Sequence, residues 1–373
     1  MSDYYFRTED MTVGYDGKPL IKGIDIDLNK GEILTLIGPN GSGKSTILKS
    51  ITKHLKMLGG TVYIDKNKLD TLSYKDMSTK VAVVLTERLR PELMTCWELV
   101  ATGRYPYTDH LGFLTEGDKE IVAESMEMVH AIELKDCDFN SISDGQRQRI
   151  LLARAICQKP EIIVLDEPTS FLDIKHKLEL LNILRYMAKE HKITVIMSIH
   201  EIDLAQKISD KVMCVKGDKI YNYGTPKEIF SQSLIQDLYD ITNGTYNITF
   251  GSVEFSKPEG EPKLFVVSGG GTGIEYFRDL QHREIPFYAG ILHKNDIDYQ
   301  VALALAAKVF SEKAFCRISE ERYREAYGAM MHCSCVLYTG VEFGEMNQKN
   351  KLLLKTAEEM KIPVVNSVEK IFV

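Results

Sequence analysis

Gly38-Pro39-Asn40-Gly41-Ser42-Gly43-Lys44-Ser45-Thr46 has the spacing G-x-x-x-x-G-K-[ST], set between an apolar run at Ile33 to Ile37 and a helical stretch at Ile47 to Lys53. Residues of these types in this order suit the polyphosphate of a nucleotide. The glycines let backbone N–H groups curl around phosphate oxygens, whose charge also meets the positive end of the following helix. Lys44 adds a point charge, and Ser45 offers its hydroxyl to a Mg²⁺ ion that bridges the phosphates. Downstream, Ile162-Ile163-Val164-Leu165 is an apolar run that ends in Asp166 and Glu167. A parallel strand delivers such acids to the carboxyl edge of its sheet, where ligands bind. Asp166 is then placed to order the Mg²⁺ shell, and Glu167 to polarise an attacking water as general base.

Ile142-Ser143-Asp144-Gly145-Gln146 directly precedes a basic helical stretch, Arg147 to Ile156. Ser143 is a plausible helix cap there, and the N–H groups around it make a second anion site. These residues resemble the L-S-G-G-Q signature of ABC transporter ATP-binding subunits, with Ile142 and Asp144 where the family usually has Leu and Gly. The resemblance implies that Ser143, Gly145 and Gln146 of one subunit close over the γ-phosphate held by the phosphate loop of another. Two ATP molecules are thereby sandwiched in a dimer, and one copy of each motif per chain calls for a second ATP-binding subunit, expected as a homodimer. The resemblance further implies that Tyr15 stacks on adenine, that Ser170-Phe171-Leu172-Asp173 is the loop crossing the dimer interface, and that His200 contacts the γ-phosphate. One position departs from the family. Its usual glutamine after the strand Val81 to Leu85 is replaced by Thr86, followed by Glu87 and Arg88. Either Glu87 or another group substitutes, or ATP is coupled differently to the helical subdomain.

Gly103-Arg104-Tyr105-Pro106-Tyr107, followed by Leu111-Gly112, Thr115 and Asp118, is similar to the helical subdomain of importers for iron-siderophores, haem and cobalamin. The resemblance covers residues 4 to about 240. It implies an ATP-hydrolysing subunit on the cytoplasmic face of the membrane, working with transmembrane permease subunits and an extracytoplasmic substrate-binding protein. The permease contact is expected near Thr86 to Trp97, with Trp97 either an interface anchor or packed within the subdomain. The alternative is a soluble ABC-type ATPase or ATP-dependent regulatory protein uncoupled from transport.

These residues need a scaffold, and the hydrophobic pattern describes one. A chain of 373 residues with 44% hydrophobic and 27% charged residues suits two folded domains. Its net charge of −7 gives no general drive toward nucleic acid. No apolar run has the length to span a membrane, and the seven scattered cysteines read as reduced cytosolic thiols. Up to about Asp240, apolar runs alternate with helical patterns, predicting a largely parallel sheet covered by helices. The expected fold is a P-loop ABC-type α/β nucleotide-binding domain at residues 1–250 with a helical subdomain at about 88–155. A Gly/Pro-containing linker at 251–262 leads to a smaller, doubly wound, Rossmann-like α/β domain at 263–373, for which the resemblance suggests a regulatory role. Its predicted elements include helices at Ile274 to His282 and Gln300 to Phe310.

In that second domain, Ser268-Gly269-Gly270-Gly271-Thr272-Gly273 follows a strand and opens a helix, as either an anion or nucleotide site or a plain turn. His293, Asn295, Asp296 and Asp298 gather at the same sheet edge, as a ligand cleft or as ordinary loop polarity. Cys333 and Cys335 beside His332 fit a buried strand edge better than half a metal site.

Overall fold

The structure, a computed structural model, describes residues 4–85, 91, 93–108 and 112–371. The chain divides into two compact units between Leu234 and Ile235. Thr86, Glu87, Arg88 and Leu111 lie outside the described residues.

The first unit contains two sheets. Strands β1 (Phe6–Tyr15), β2 (Lys18–Leu28), β4 (Gly59–Ile64) and β5 (Asn67–Lys68) form an antiparallel sheet in the order β2-β1-β4-β5. Strands β3 (Ile33–Ile37), β6 (Val81–Val84), β7 (Ile162–Leu165), β8 (Thr194–Ser198), β9 (Lys211–Lys216) and β10 (Lys219–Gly224) form the other, in the order β10-β9-β3-β8-β7-β6. It is parallel except for the β9–β10 pair. The parallel strands β3, β6, β7 and β8 are buried on both faces because each face has its own core, as buried parallel strands require. In β7, Ile162 and Val164 join the core shared with the antiparallel sheet, whereas Ile163 and Leu165 join the core on the opposite side. Each such side chain, fully removed from water, contributes about 1.5–3 kcal/mol.

Helices α1 (Lys44–Ile51) and α2 (Tyr74–Lys80) precede a helical subdomain of α3 (Cys96–Ala101), α4 (Glu116–Met128) and α5 (Asp144–Cys157). Capping boxes start α3 and α4, Thr95 with Glu98 and Thr115 with Asp118, satisfying first-turn N–H groups. Arg104 is buried between them, donating from Nε to Asp118 Oδ1 at 2.9 Å and from Nη1 to the Cys157 carbonyl at 2.9 Å. The Gly103 to Asp118 pattern thus has a structural use, fastening α4 to the end of α5. Trp97 packs against the subdomain core. Helices α6 (Ile174–Glu190), α7 (Ile202–Ile208) and α8 (Pro226–Ile229) follow, and the division into units falls within α9 (Gln232–Tyr239). Among the described residues, no helix is long and apolar enough to cross a membrane.

Glu161, just before β7, ties three segments together. Its carboxylate accepts from Tyr5 Oη at 2.5 Å, Lys80 Nζ at 2.7 Å and Lys30 Nζ at 3.2 Å. Burial alone would raise its pKa, but the bonds from Lys80, Tyr5 and Lys30 outweigh burial and bring it down from 4.5 to about 2. A carboxylate with a depressed folded-state pKa stabilises the fold above its unfolded value and loses that contribution as pH falls toward the folded value. Glu161→Gln is therefore expected to lower stability at pH 7 by about 1–2 kcal/mol, after allowance for partial exposure. The urea midpoints of the two proteins should converge between pH 4.5 and about 2. A gap that stays constant over that window would show that the charge contributes nothing.

After the rest of α9, the second unit continues with a hairpin of β11 (Gly244–Asn247) and β12 (Ser252–Phe255). The expected linker at 251–262 therefore contains a strand. Gly251, at φ 63°, serves the turn of that hairpin, and Glu254 is buried and ion-paired with Arg278. A five-stranded parallel sheet follows, built from β13 (Leu264–Val267), β14 (Phe287–His293), β15 (Lys308–Glu312), β16 (Cys335–Tyr338) and β17 (Val364–Val365). Its order β15-β14-β13-β16-β17 is that of a doubly wound fold, whose direction of winding reverses between β13 and β16. Helices α10 (Ile274–His282), α11 (Ile297–Leu305), α12 (Glu320–Met330) and α13 (Gln348–Glu359) connect the strands. The helix expected at Gln300 to Phe310 instead ends at Leu305. Lys308 to Glu312 pair with β14, and Phe310 is buried, stacked on Phe265 at 5.8 Å between ring centroids. Cys335 starts β16, and the buried Cys333 thiol donates to the Ala329 carbonyl.

Candidate functional site

The phosphate loop leaves β3 and enters α1 through backbone that other residues resist. Gly38 has φ 145°, and a Cβ there would lie 2.0 Å from the Val215 carbonyl oxygen. Gly43 caps α1 at φ 96°, in the left-handed region that glycine occupies without steric cost. Lys44, only 5% exposed, donates from Nζ to the carbonyls of Gly38 at 2.8 Å and Pro39 at 2.9 Å. Burial lowers its pKa from the ordinary value, while the nearby Glu167 and Asp166 oppose that shift.

Strands β3, β7 and β8 are adjacent and parallel, so their carboxyl ends meet at one edge of the sheet. Tyr15, Asn40, Gly41, Ser42, Gly43, Lys44, Ser45, Thr46, Glu167 and His200 line one cavity there of about 370 Å³. Tyr15 is half exposed at its mouth, with Oη 3.2 Å from Thr46 Oγ1. His200 Nε2 lies 2.6 Å from Glu167 Oε1, and Ser170 Oγ donates to Glu167 Oε2 at 3.2 Å. This geometry seats an anion on backbone N–H groups and an ammonium, with a carboxylate facing the same space. Such a set can hold a polyphosphate and draw a proton from a water beside it.

Asp166 is buried, 5% exposed, and does not line the cavity. With Ser45 it supplies only oxygen donors, a set that suits a hard cation completing its shell with phosphate and water. Ser143, Gly145 and Gln146 are likewise not among the lining residues. They start α5, where Ser143 Oγ accepts the Gln146 N–H at 3.3 Å and Gln146 Oε1 accepts the Ser143 N–H at 2.9 Å. The first unit thus carries a cavity around the phosphate loop and, apart from it, the helix start at Ser143.

Two groups of residues escaped the sequence reading. Ser198, at the buried end of β8, donates to Asp166 Oδ1 at 2.7 Å and accepts the Glu167 N–H at 2.9 Å. Glu201 accepts from Thr169 Oγ1 at 2.8 Å and pairs with Lys177, tying the segment after Glu167 to the one after His200. A serine directly after the apolar Val195, Ile196 and Met197 was the available signal, since a buried hydroxyl needs partners.

The glycine loop of the second unit is occupied from within. Asp296 accepts the Gly270 N–H at 3.0 and 2.9 Å, and Asp298 accepts the Gly273 N–H at 2.9 Å. Burial raises the Asp298 carboxyl to about 6. An anionic ligand would have to displace both carboxylates, so the geometry favours the plain strand-to-helix turn. His293, Asn295 and Asp296 line an open cavity of about 520 Å³ with the loop Glu342 to Asn347, whereas Asp298 does not line it.

Comparison with known proteins bears on both units. Residues 21–170 match the ABC transporter family model and residues 287–370 the MJ0874 family. An ABC transporter ATP-binding protein of Methanocaldococcus jannaschii is 45% identical over 275 residues, 74% of this chain and 95% of that one. The iron(3+)-hydroxamate import ATP-binding protein FhuC of Bacillus subtilis is 33% identical over 63% of this chain and 87% of its own length. Among solved structures, a dimeric ATP-binding cassette in a post-hydrolysis state with ADP and Pi matches with a TM-score of 0.53 at 25% identity, covering 59% of this chain and 98% of that one. With its phosphate loop, paired acids and helical subdomain in one unit, this chain belongs to the ATP-binding subunits of ABC transporters, ATPases whose hydrolysis is coupled to transport.

Proposed function

We propose that the chain energises uptake of an iron-siderophore or similar metal chelate, bound to permease subunits at the cytoplasmic face of the membrane and served by an extracytoplasmic substrate-binding protein. The cargo class rests on relatives whose names specify import of iron(3+)-hydroxamate and transport of achromobactin and of ferric enterobactin. The observation that carries the mechanism is the convergence of Lys44, Glu167 and His200 on a cavity that Ser143, Gly145 and Gln146 do not line. A second copy of the chain would supply those three residues across a dimer interface.

In this reading Tyr15 stacks on adenine, and the N–H groups of residues 38–46 with Lys44 cradle the phosphates. Ser45 and Asp166 would hold Mg²⁺, Asp166 directly or through water. When bound, Mg²⁺ neutralises charge on the β- and γ-phosphate oxygens. Glu167 takes a proton from the water that attacks the γ-phosphate in line, and His200 keeps Glu167 oriented while contacting that phosphate. Closure on ATP and opening after hydrolysis then drive the permease.

The permease contact has a candidate seat in a cleft of about 350 Å³ between α2, β6 and α5, lined by Thr52, His54, Tyr74, Met77, Leu151 and Arg154 among others. Tyr74 is 81% exposed there, so replacing it leaves the core untouched. Tyr74→Asp is expected to weaken association with the membrane subunits about tenfold, while ATPase activity of the isolated chain stays within about twofold. Measuring both after co-expression decides the matter. Undiminished association would move the contact elsewhere.

A further inference from the structure

Ser198 is fully buried, at the end of a strand whose other four residues are also buried. Register explains what it meets. β7 and β8 run parallel with Leu165 opposite Met197, so the next step along both strands brings Ser198 level with Asp166. The hydroxyl has one proton to give and lone pairs to accept with. It donates to Asp166 Oδ1 at 2.7 Å and accepts the Glu167 N–H at 2.9 Å. Both partners are acids of the proposed site, reached through the side chain of one and the backbone of the other.

Glu167 gives the second contact its weight. Its φ of 51° is left-handed, a conformation that costs a non-glycine residue on the order of 1 kcal/mol and persists only where neighbours hold it. The turn is held on its two sides, by Ser198 at the Glu167 N–H and by the Ser170 N–H, which donates to the Glu167 carbonyl at 3.1 Å. That turn directs the Glu167 side chain into the cavity, toward His200.

We propose that Ser198 is a positioning residue for hydrolysis. It aims the Asp166 carboxylate toward the metal and pins the turn that presents Glu167, without touching nucleotide itself. This rests on the reading of Asp166 as metal-facing and Glu167 as base. Outer hydrogen bonds to metal-facing carboxylates typically change metal affinity or activity by about 10–100-fold when removed.

The test uses the full chain with ADP and Mn²⁺ as the metal probe, followed by electron paramagnetic resonance, alongside steady-state ATP turnover. Ser198→Ala removes both hydrogen bonds and is expected to weaken Mn²⁺ binding at least about tenfold and to slow turnover by about 10–100-fold. ADP affinity without metal should stay within about twofold, a readout that general loss of structure would not spare. Ser198→Thr keeps the hydroxyl and should remain within about threefold of the natural protein, whereas Ser198→Val, of matching shape without it, should behave like Ser198→Ala. Equal behaviour of the Thr and Val variants, or unchanged Mn²⁺ affinity in Ser198→Ala, overturns the proposal. Asp166→Asn separates the levels: if it abolishes Mn²⁺ binding while Ser198→Ala leaves Mn²⁺ affinity unchanged, only the role of Ser198 falls. If Asp166→Asn leaves Mn²⁺ binding intact, the metal reading falls and the proposal with it.

Discussion

Replacing Glu167 by glutamine is expected to slow ATP turnover by about 10²–10⁴-fold, the usual weight of a positioned general base, and to leave ATP bound in a closed dimer. Glutamine keeps the length of the side chain and an oxygen to accept from Ser170 or His200, so the cavity loses basicity and little else. The phosphate loop and Lys44 are untouched, and ATP affinity should change little. Two measurements decide: phosphate release at saturating ATP, and the mass of the protein by light scattering with and without ATP. Turnover within about threefold of the natural chain would remove Glu167 from the chemistry. Loss of turnover without a dimer would retain the base but break the composite site, because Ser143, Gly145 and Gln146 would then have no phosphate to meet.

The parts of this site that were legible in the sequence are those where chemistry restricts residue type at successive positions. Gly38 and Gly43 adopt backbone that side chains resist, Lys44 must follow, and the acids Asp166 and Glu167 must end a buried strand. Each rule can be read along the chain. What pairs across strands cannot be read this way. Ser198 becomes meaningful only through the register that sets it beside Asp166, 32 positions away in sequence. The second unit shows the same division. Its alternating strands and helices were plain, but from Val301 through Phe310 only Lys308 interrupts an apolar run, and the end of α11 is separated from β15 by pairing with β14. Likewise β12 is a short strand rich in exposed residues, and only its partner β11 distinguishes it from a linker. The glycine loop there carries the composition of an anion site, but Asp296 and Asp298, over twenty residues on, satisfy the same N–H groups.

Lys44→Ala is expected to weaken ATP binding by about 10–100-fold and to abolish measurable turnover. The binding term follows from one hydrogen bond between an ammonium and a charged phosphate, worth about 1.5–3 kcal/mol. Turnover suffers more, because the same charge would meet a γ-phosphoryl group whose charge shifts during transfer, and a lost electrostatic donor of that kind costs about 10²–10³-fold by itself. The folded chain gives a reason for expecting little structural damage. Lys44 Nζ is held by the carbonyls of Gly38 and Pro39 at the open edge of the sheet, and water entering the cavity can satisfy both after truncation. Those bonds also keep the ammonium within the loop, so an incoming phosphate exchanges with two carbonyls and finds the charge already in place. Lys44→Arg should not restore function, since a planar guanidinium cannot take the seat of a compact ammonium between two loop carbonyls. Calorimetric titration with ATP, in parallel with thermal melting of the free protein, tests both halves. A variant that melts like the natural chain but binds ATP about tenfold or more weakly supports the reading, and one that binds ATP normally sinks the assignment of the loop.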